Sequence, residues 1–177
     1  IFYRTNAQSR VIEDALRREL TPYVIVGGLR FYERKEIKDT LAYLRLIANP
    51  EDAQSFKRIV NVPPRGIGQA TLEKIEGLAL SERISPWEAC RRIRERRILG
   101  PKATRALGDL VELVQRLQAR AEVAELPDLI VELLESTGYV EDLKAEGTAE
   151  AQARMENLQQ FIVAAREFLE RSDDKSL

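Results

Sequence analysis

IFYRTNAQSRVIEDALRRELTPYVIVGG, residues 1–28, places a β-rich run, a helical pattern and a second β-rich run in succession. The first run, IFYR, reads as a buried strand. Thr5 or Asn6 is placed to cap a helix from about Ala7 to Leu20, with Val11, Ile12, Ala15 and Leu16 as one apolar stripe. Thr21-Pro22 stops that helix, and YVIV returns as a strand before Gly27-Gly28. Strand, helix and strand at this spacing predict a parallel, right-handed βαβ unit. Two strands do not complete a sheet, so the expected fold is mostly α: a small βαβ portion of an incomplete α/β domain, followed by an all-helical domain.

From Glu33 onward every segment carries helical periodicity. ERKEIKDTLAYLRLIAN sets Ile37, Leu41, Leu44 and Ile47 on one face and ends at Asn49-Pro50. A short helix follows over Glu51–Val60, broken by NVPPRGIG, and another runs from Gln69 to about Leu80. SPWE (Ser85–Glu88) is a capping box with proline at the first helical position, opening a helix to about Arg97. Gly100-Pro101 starts the next, packed through Leu107, Leu110, Val111, Val114 and Leu117. LPDLIVELLESTGY and a long helix over about Thr148–Arg171 complete the chain, and the polar ending RSDDKSL reads as cut rather than finished.

Composition narrows the function. Hydrophobic residues make up 44% of the 177 and charged residues 32%, a helix-rich soluble composition with no apolar run long enough to span a bilayer. No secretory signal pattern opens the chain, and one cysteine, Cys90, excludes a disulfide framework and a cysteine zinc site. A reducing cytoplasm is the expected compartment. There is no histidine, which removes the usual general base and metal ligand; no metal ligands are assigned. The net charge of −1 hides an asymmetry, with basic side chains in excess over residues 1–126 and acidic ones over 127–177. A phosphate-binding surface therefore belongs in the first part.

Four stretches carry possible chemistry. In PPRGIGQATLEKI (Pro63–Ile75), two glycines flank an isoleucine just before a helix, as in the hairpin of helix-hairpin-helix DNA binders. Glycine lets backbone approach a phosphate, and free N–H groups at the helix start point toward it. Arg65 adds charge, Gly66 and Gly68 form the turn, and Ile67 pins it into the core. A tight turn whose glycines only need positive φ reads the stretch equally well. RRIRERR (Arg91–Arg97) holds five arginines in seven positions, which point all around a helix and favour a solvated, ion-paired face. LGPKATRAL (Leu99–Leu107) offers a second turn with Lys102 and Arg105 at a helix start. STGYVEDLKAEGT (Ser136–Thr148) joins two helices, and Thr137, the Gly138 amide and Tyr139 have the chemistry to touch a phosphate, although the local charge is acidic. Trp87 is expected in the core. Tyr3 and Arg4 sit where a ring stacks on a base and a cation meets a phosphate, yet no G-x-x-x-x-G-K-[ST] loop occurs anywhere in the sequence. A buried tyrosine and a solvent-facing arginine are the plain reading.

YRTNAQSRVIEDAL, VGGLRFYERKEIKDTLAYLRLIANPED, RIVNVPPRGIG, STGY and RMENLQQF, in this order, resemble the UvrD/PcrA/Rep type of superfamily I DNA helicase over essentially the whole chain. The resemblance implies that residues 1–97 are the first half of a RecA-like motor domain, 2A, and residues 98–177 part of the helical accessory domain 2B. It implies that YRTNAQSR is motif IV, with Tyr3 stacking on adenine and Arg4 the catalytic cation at the γ-phosphate. ATP and Mg²⁺ are then the cofactors of an intact 3′–5′ translocase, with none bound by this chain alone. The expected partners are single-stranded and duplex DNA at a fork and the remaining motor domains, with no membrane. Arg65, Gly66, Ile67, Gly68, Thr137, Gly138 and Tyr139 become the expected DNA contacts. Because Walker A and B motifs are absent, the chain alone is expected to be inactive as an ATPase. Two other readings remain open: a non-enzymatic helix-hairpin-helix duplex binder and a regulatory protein-docking module.

Overall fold

A computed structural model describes residues 1, 3–4, 8–25 and 30–171. Every regular element among them is helical. In chain order they are α1 (Ser9–Arg18), a 3-10 turn (Phe31–Glu33), α2 (Lys35–Ala48), α3 (Ala53–Ile59), α4 (Gln69–Glu82), α5 (Pro86–Glu95), α6 (Pro101–Ala121), α7 (Leu126–Ser136), α8 (Tyr139–Glu146) and α9 (Ala149–Arg171). The expected βαβ portion is therefore corrected: no strand occurs among the described residues. Residues 21–25 carry no regular structure, and Ile1 and Val24 are 88% and 85% exposed. Runs such as YVIV register a fit to a half-buried pleated surface rather than an intrinsic backbone preference. Without a paired neighbour to satisfy its N–H and C=O groups, such a run gains nothing by extending as a strand. The expected cap at Thr5 or Asn6 and the Gly27-Gly28 turn lie outside the described residues.

α1 departs from its expected apolar stripe as well. Val11 is exposed, and the helix buries Ser9, Arg10 and Glu13 instead. Most of their polar atoms are paired, although the buried Nε of Arg10 has no hydrogen-bond partner among the described residues. Glu13 accepts from the Phe31 backbone N–H at 3.1 and 3.2 Å and from the Tyr23 hydroxyl at 3.1 Å. Arg10 reaches both carboxylate oxygens of Glu167 on α9, at 3.0 and 3.3 Å. Buried polar groups of this kind hold only where each finds a partner.

α2 is the central helix, packed against α3, α6, α7 and α9. Its apolar period predicts the burial of Ile37, Leu41, Leu44 and Ile47; Leu41 is only partly buried, the other three are buried, and Tyr43 and Leu46 join them at 0% exposure. It ends at Asn49, ahead of Pro50, as the missing proline donor and the steric bias of the preceding residue require. α3 is capped by Asp52, whose carboxylate accepts from the Gln54 and Ser55 amides. α4 and α5 form a hairpin beside α3, where Phe56 and Trp87 meet edge to face with centroids 6.4 Å apart. Ser85 caps α5 by accepting from the Glu88 amide at 3.1 Å, while the Glu88 carboxylate accepts from Arg91 and Arg92 rather than closing the box. Four of the five arginines at the end of α5 and just beyond it are in ion pairs: Arg92 and Arg96 with Glu82, Arg91 and Arg92 with Glu88, and Arg94 with Glu112. α6 then crosses α2, and α7, α8 and α9 close the far side. One buried cluster runs from Phe31 to Ala165.

Candidate nucleic-acid interface

α6 decides where the sequence-predicted residues meet. Its Leu107, Leu110, Val111, Val114 and Leu117 face the core, so Lys102, Arg105, Asp109, Glu112 and Arg116 fall along the opposite face. That face walls a groove of about 990 Å³ whose other wall carries Arg65, Ser136 and Thr137. Three stretches separated by tens of residues therefore share one surface: the PPRGIG turn, the LGPK helix start and the end of α7.

The charge in the groove is mostly positive. Lys102, Arg105 and Arg116 are exposed and have no ion-pair partner among the described residues. Of the two carboxylates, Glu112 is engaged by Arg94, which leaves Asp109 as the counter-charge. Gly100 caps α6 without a side-chain hydrogen bond, so the first amides of a 21-residue helix open beside Pro101 and Lys102. A neighbouring groove of about 500 Å³, lined by Arg97, Thr104 and Arg105 among others, extends the surface along α6.

The two glycine turns differ in detail. Gly66 sits at φ +76°, where only glycine is unstrained, and a Cβ there would stand 3.7 Å from Lys102 Cε. Gly68 has φ −83° and is the N-cap of α4, with no side-chain cap. Ile67 is 1% exposed and anchors the turn in the core. Asn61 Oδ1 gathers the turn by accepting from the amides of Arg65, at 2.7 Å, and Ile67, at 3.3 Å. Gly138 lies at φ +75°, and its N–H is committed to the Glu135 carbonyl at 3.0 Å. Thr137 lines the groove, with its hydroxyl donating to the Leu134 carbonyl at 3.2 Å.

Arg65 and Tyr139 turn inward. The Arg65 guanidinium donates to the Tyr43 hydroxyl at 2.6 Å and to the Pro63 carbonyl at 3.0 Å, and touches the Thr137 carbonyl at 3.5 Å. Burial pushes the Tyr43 phenol up to about 12, against the opposing pull of Arg65. The Tyr139 hydroxyl donates to the buried Asp39 at 2.8 Å. Burial, and then the Asp39 charge, raise its ionisation well above the usual phenol range. Arg116, Asp39 and Tyr43 are the residues that sequence reasoning missed. Arg116 was legible as the end of the spacing 102, 105, 109, 112, 116. Asp39 and Tyr43 were hidden inside an apolar helical pattern.

Tyr3 is half-buried, and Arg4 is exposed with its backbone N–H donating to Gln8 Oε1 at 3.0 Å. No ion-pair partner for the Arg4 side chain stands among the described residues. No cluster of acidic, histidine or cysteine ligands suited to a metal ion occurs among the described residues, and no described helix is long and apolar enough to cross a membrane.

Across residues 1–177 the sequence matches the family described as UvrD-like helicase C-terminal domain. The chain belongs to that family. This UvrD-like domain is 45% identical over 177 residues to the ATP-dependent DNA helicase PcrA of Bacillus subtilis (strain 168), a match covering 100% of this chain and 24% of the relative. It is 42% identical over 172 residues to the protein of the same name from Staphylococcus aureus (strain Mu50 / ATCC 700699), covering 96% and 23%. The chain thus spans about a quarter of the length of the curated relatives it matches.

Proposed function

We propose that this UvrD-like domain is the part of an ATP-dependent 3′–5′ DNA helicase that supplies one side of the nucleotide site and a duplex-contacting surface. The observation that carries the reading is the groove beside α6, where Lys102, Arg105 and Arg116 stand unpaired next to an uncapped helix start and Thr137. Unpaired cations and open amides suit a phosphate backbone, whose affinity comes from counterion release. Residues 65–68 and 137–139 form the turns that bring backbone to that surface. Residues 1–97 belong to motor domain 2A, which also brings its 65–68 turn to the DNA surface, and residues 98–177 to accessory domain 2B. The family membership and the relatives' names favour this reading over a purely regulatory docking module.

At the other end, Tyr3 would hold the adenine and Arg4 would lie against the γ-phosphate, stabilising charge on the transferring phosphoryl group. ATP and Mg²⁺ belong to the intact enzyme, whose remaining motor domains and DNA fork are its partners in the cytoplasm. Bound ATP supplies the phosphoryl chemistry, and this chain contributes a ring, a cation and the position of both.

Duplex titration of the chain by fluorescence anisotropy, at several salt concentrations, tests the DNA surface. Binding with a steep salt slope is expected. The double substitution Lys102→Ala and Arg105→Ala should lower that slope by about two and weaken binding to all sequences alike. A slope unchanged by the double substitution would place the DNA elsewhere.

A further inference from the structure

Arg65, on the groove wall, and the buried Tyr139, just past Thr137, both turn inward onto one face of one helix. Asp39 and Tyr43 stand four residues apart on α2, so their side chains project from the same side. Asp39 is 1% exposed, and its two oxygens serve different segments. Oδ1 accepts from Arg58 Nε on α3 at 2.7 Å, ahead of the first turn, and Oδ2 accepts from Tyr139 at the start of α8, just past the second. The Tyr43 hydroxyl accepts from Arg65 and donates to the Val62 carbonyl, both within the first turn. Arg65 in turn reaches the Thr137 carbonyl at the second. Tyr43 therefore ties the first turn directly and the second through Arg65, while Asp39 ties the second turn to α3, the helix that leads into the first.

We propose that Asp39 and Tyr43 are positioning residues that fix the separation of the two turns, so that both meet one duplex backbone at once. This rests on the duplex-binding reading of the groove. An arginine whose donors are shared among a phenol and backbone carbonyls is held as a spacer, and Lys102, Arg105 and Arg116 are left to meet the phosphates. The placement of the ties supports a role beyond burial. The apolar neighbours Ile37, Leu44 and Ile47 already fill the core side of α2, and a hydrogen-bonded buried network beside them holds one geometry.

The test combines a distance and a titration. Nitroxide labels at Gln69→Cys and Glu135→Cys, both exposed and flanking the turns, report their separation by pulsed electron resonance, with the buried Cys90 left in place. The labelled chain should give one narrow distance. Adding Asp39→Asn with Tyr43→Phe should broaden it, and in the unlabelled chain should lower the salt slope of duplex binding by about one to two. Deleting a negative charge would by itself strengthen binding to a polyanion, so a lost slope reports geometry. Should the double variant fail to fold, Tyr43→Phe alone removes one oxygen and is expected to act in the same direction. An unchanged distance distribution, or an unchanged slope, overturns the positioning role. A wild-type chain that binds no duplex refutes the DNA reading instead, whatever the distances show.

Discussion

Replacing Asn157 with leucine should be among the most damaging single changes to this fold, and the structure sets the size of the effect. Asn157 on α9 is 4% exposed and stands between two charges. Its Nδ2 donates to Glu36 Oε1 at 2.6 Å, and its Oδ1 accepts from Arg34 Nη1 at 2.7 Å. Arg34 continues to Ser9 Oγ at 2.6 Å, and Ser9 to Glu13 Oε1 at 2.8 Å, so one amide joins α9 to α1 and α2. Burial already holds the Arg34 guanidinium below its ordinary range, against the opposing charges of Glu13 and Glu36. Leucine has nearly the same volume and no hydrogen bond to give. Two bonds to charged groups are lost, at about 1.5–3 kcal/mol each. Burial of the leucine returns roughly 1–2 kcal/mol. The net loss is about 1–5 kcal/mol, or roughly 2–20 °C in Tm for a domain of this size. Urea unfolding followed by circular dichroism at pH 7 measures it, with Gln159→Leu on the exposed side of α9 as a control expected to stay within about 0.5 kcal/mol. A cost below about 1 kcal/mol for Asn157→Leu would refute the reasoning.

Three further outcomes are expected. Cys90 is fully buried and its thiol is pushed up to about 12 by burial, so a thiol reagent at pH 8 should react slowly in the native chain and fast once urea unfolds it; rapid native labelling would contradict the packing. The same shift predicts that stability is fully present below the unfolded thiol's ordinary range and declines as pH rises toward 12. Ser85→Ala removes the acceptor for the Glu88 amide and the donor to Glu51 and should cost about 1 kcal/mol in urea melts, with Ser85→Thr largely retaining the cap. The chain alone should show no DNA-stimulated ATP turnover, and turnover that Arg4→Ala abolishes would overturn the view that Arg4 needs a partner site.

Helices were legible because their signals are local. The period of Ile37, Leu44 and Ile47, the serine before Pro86 and the glycine before Pro101 act within one or two turns, and α2, α5 and α6 form where they predict. Trp87 in the core and the ion-paired α5 arginines follow from the same short-range logic. The βαβ reading failed because a strand exists only through its neighbours, and residues 21–25 have none among the described residues. The apolar stripe of α1 failed for a related reason. Which side of a helix is buried depends on what packs there, and Arg34, Phe31 and Asn157 reward polar groups on that side.

The sequence by itself determined the helical order, the caps, the glycine turns and the family, because each is written in residues close together along the chain. Only the tertiary structure decided that the PPRGIG turn, the start of α6 and the end of α7 share one groove. Only it showed that Arg65 and Tyr139 face inward to Tyr43 and Asp39. Those relations join residues 72 and 100 positions apart along the chain. They arise when α2, α6 and α7 bury their apolar faces together, and that packing, rather than any local preference, leaves three cations unpaired beside an open helix start.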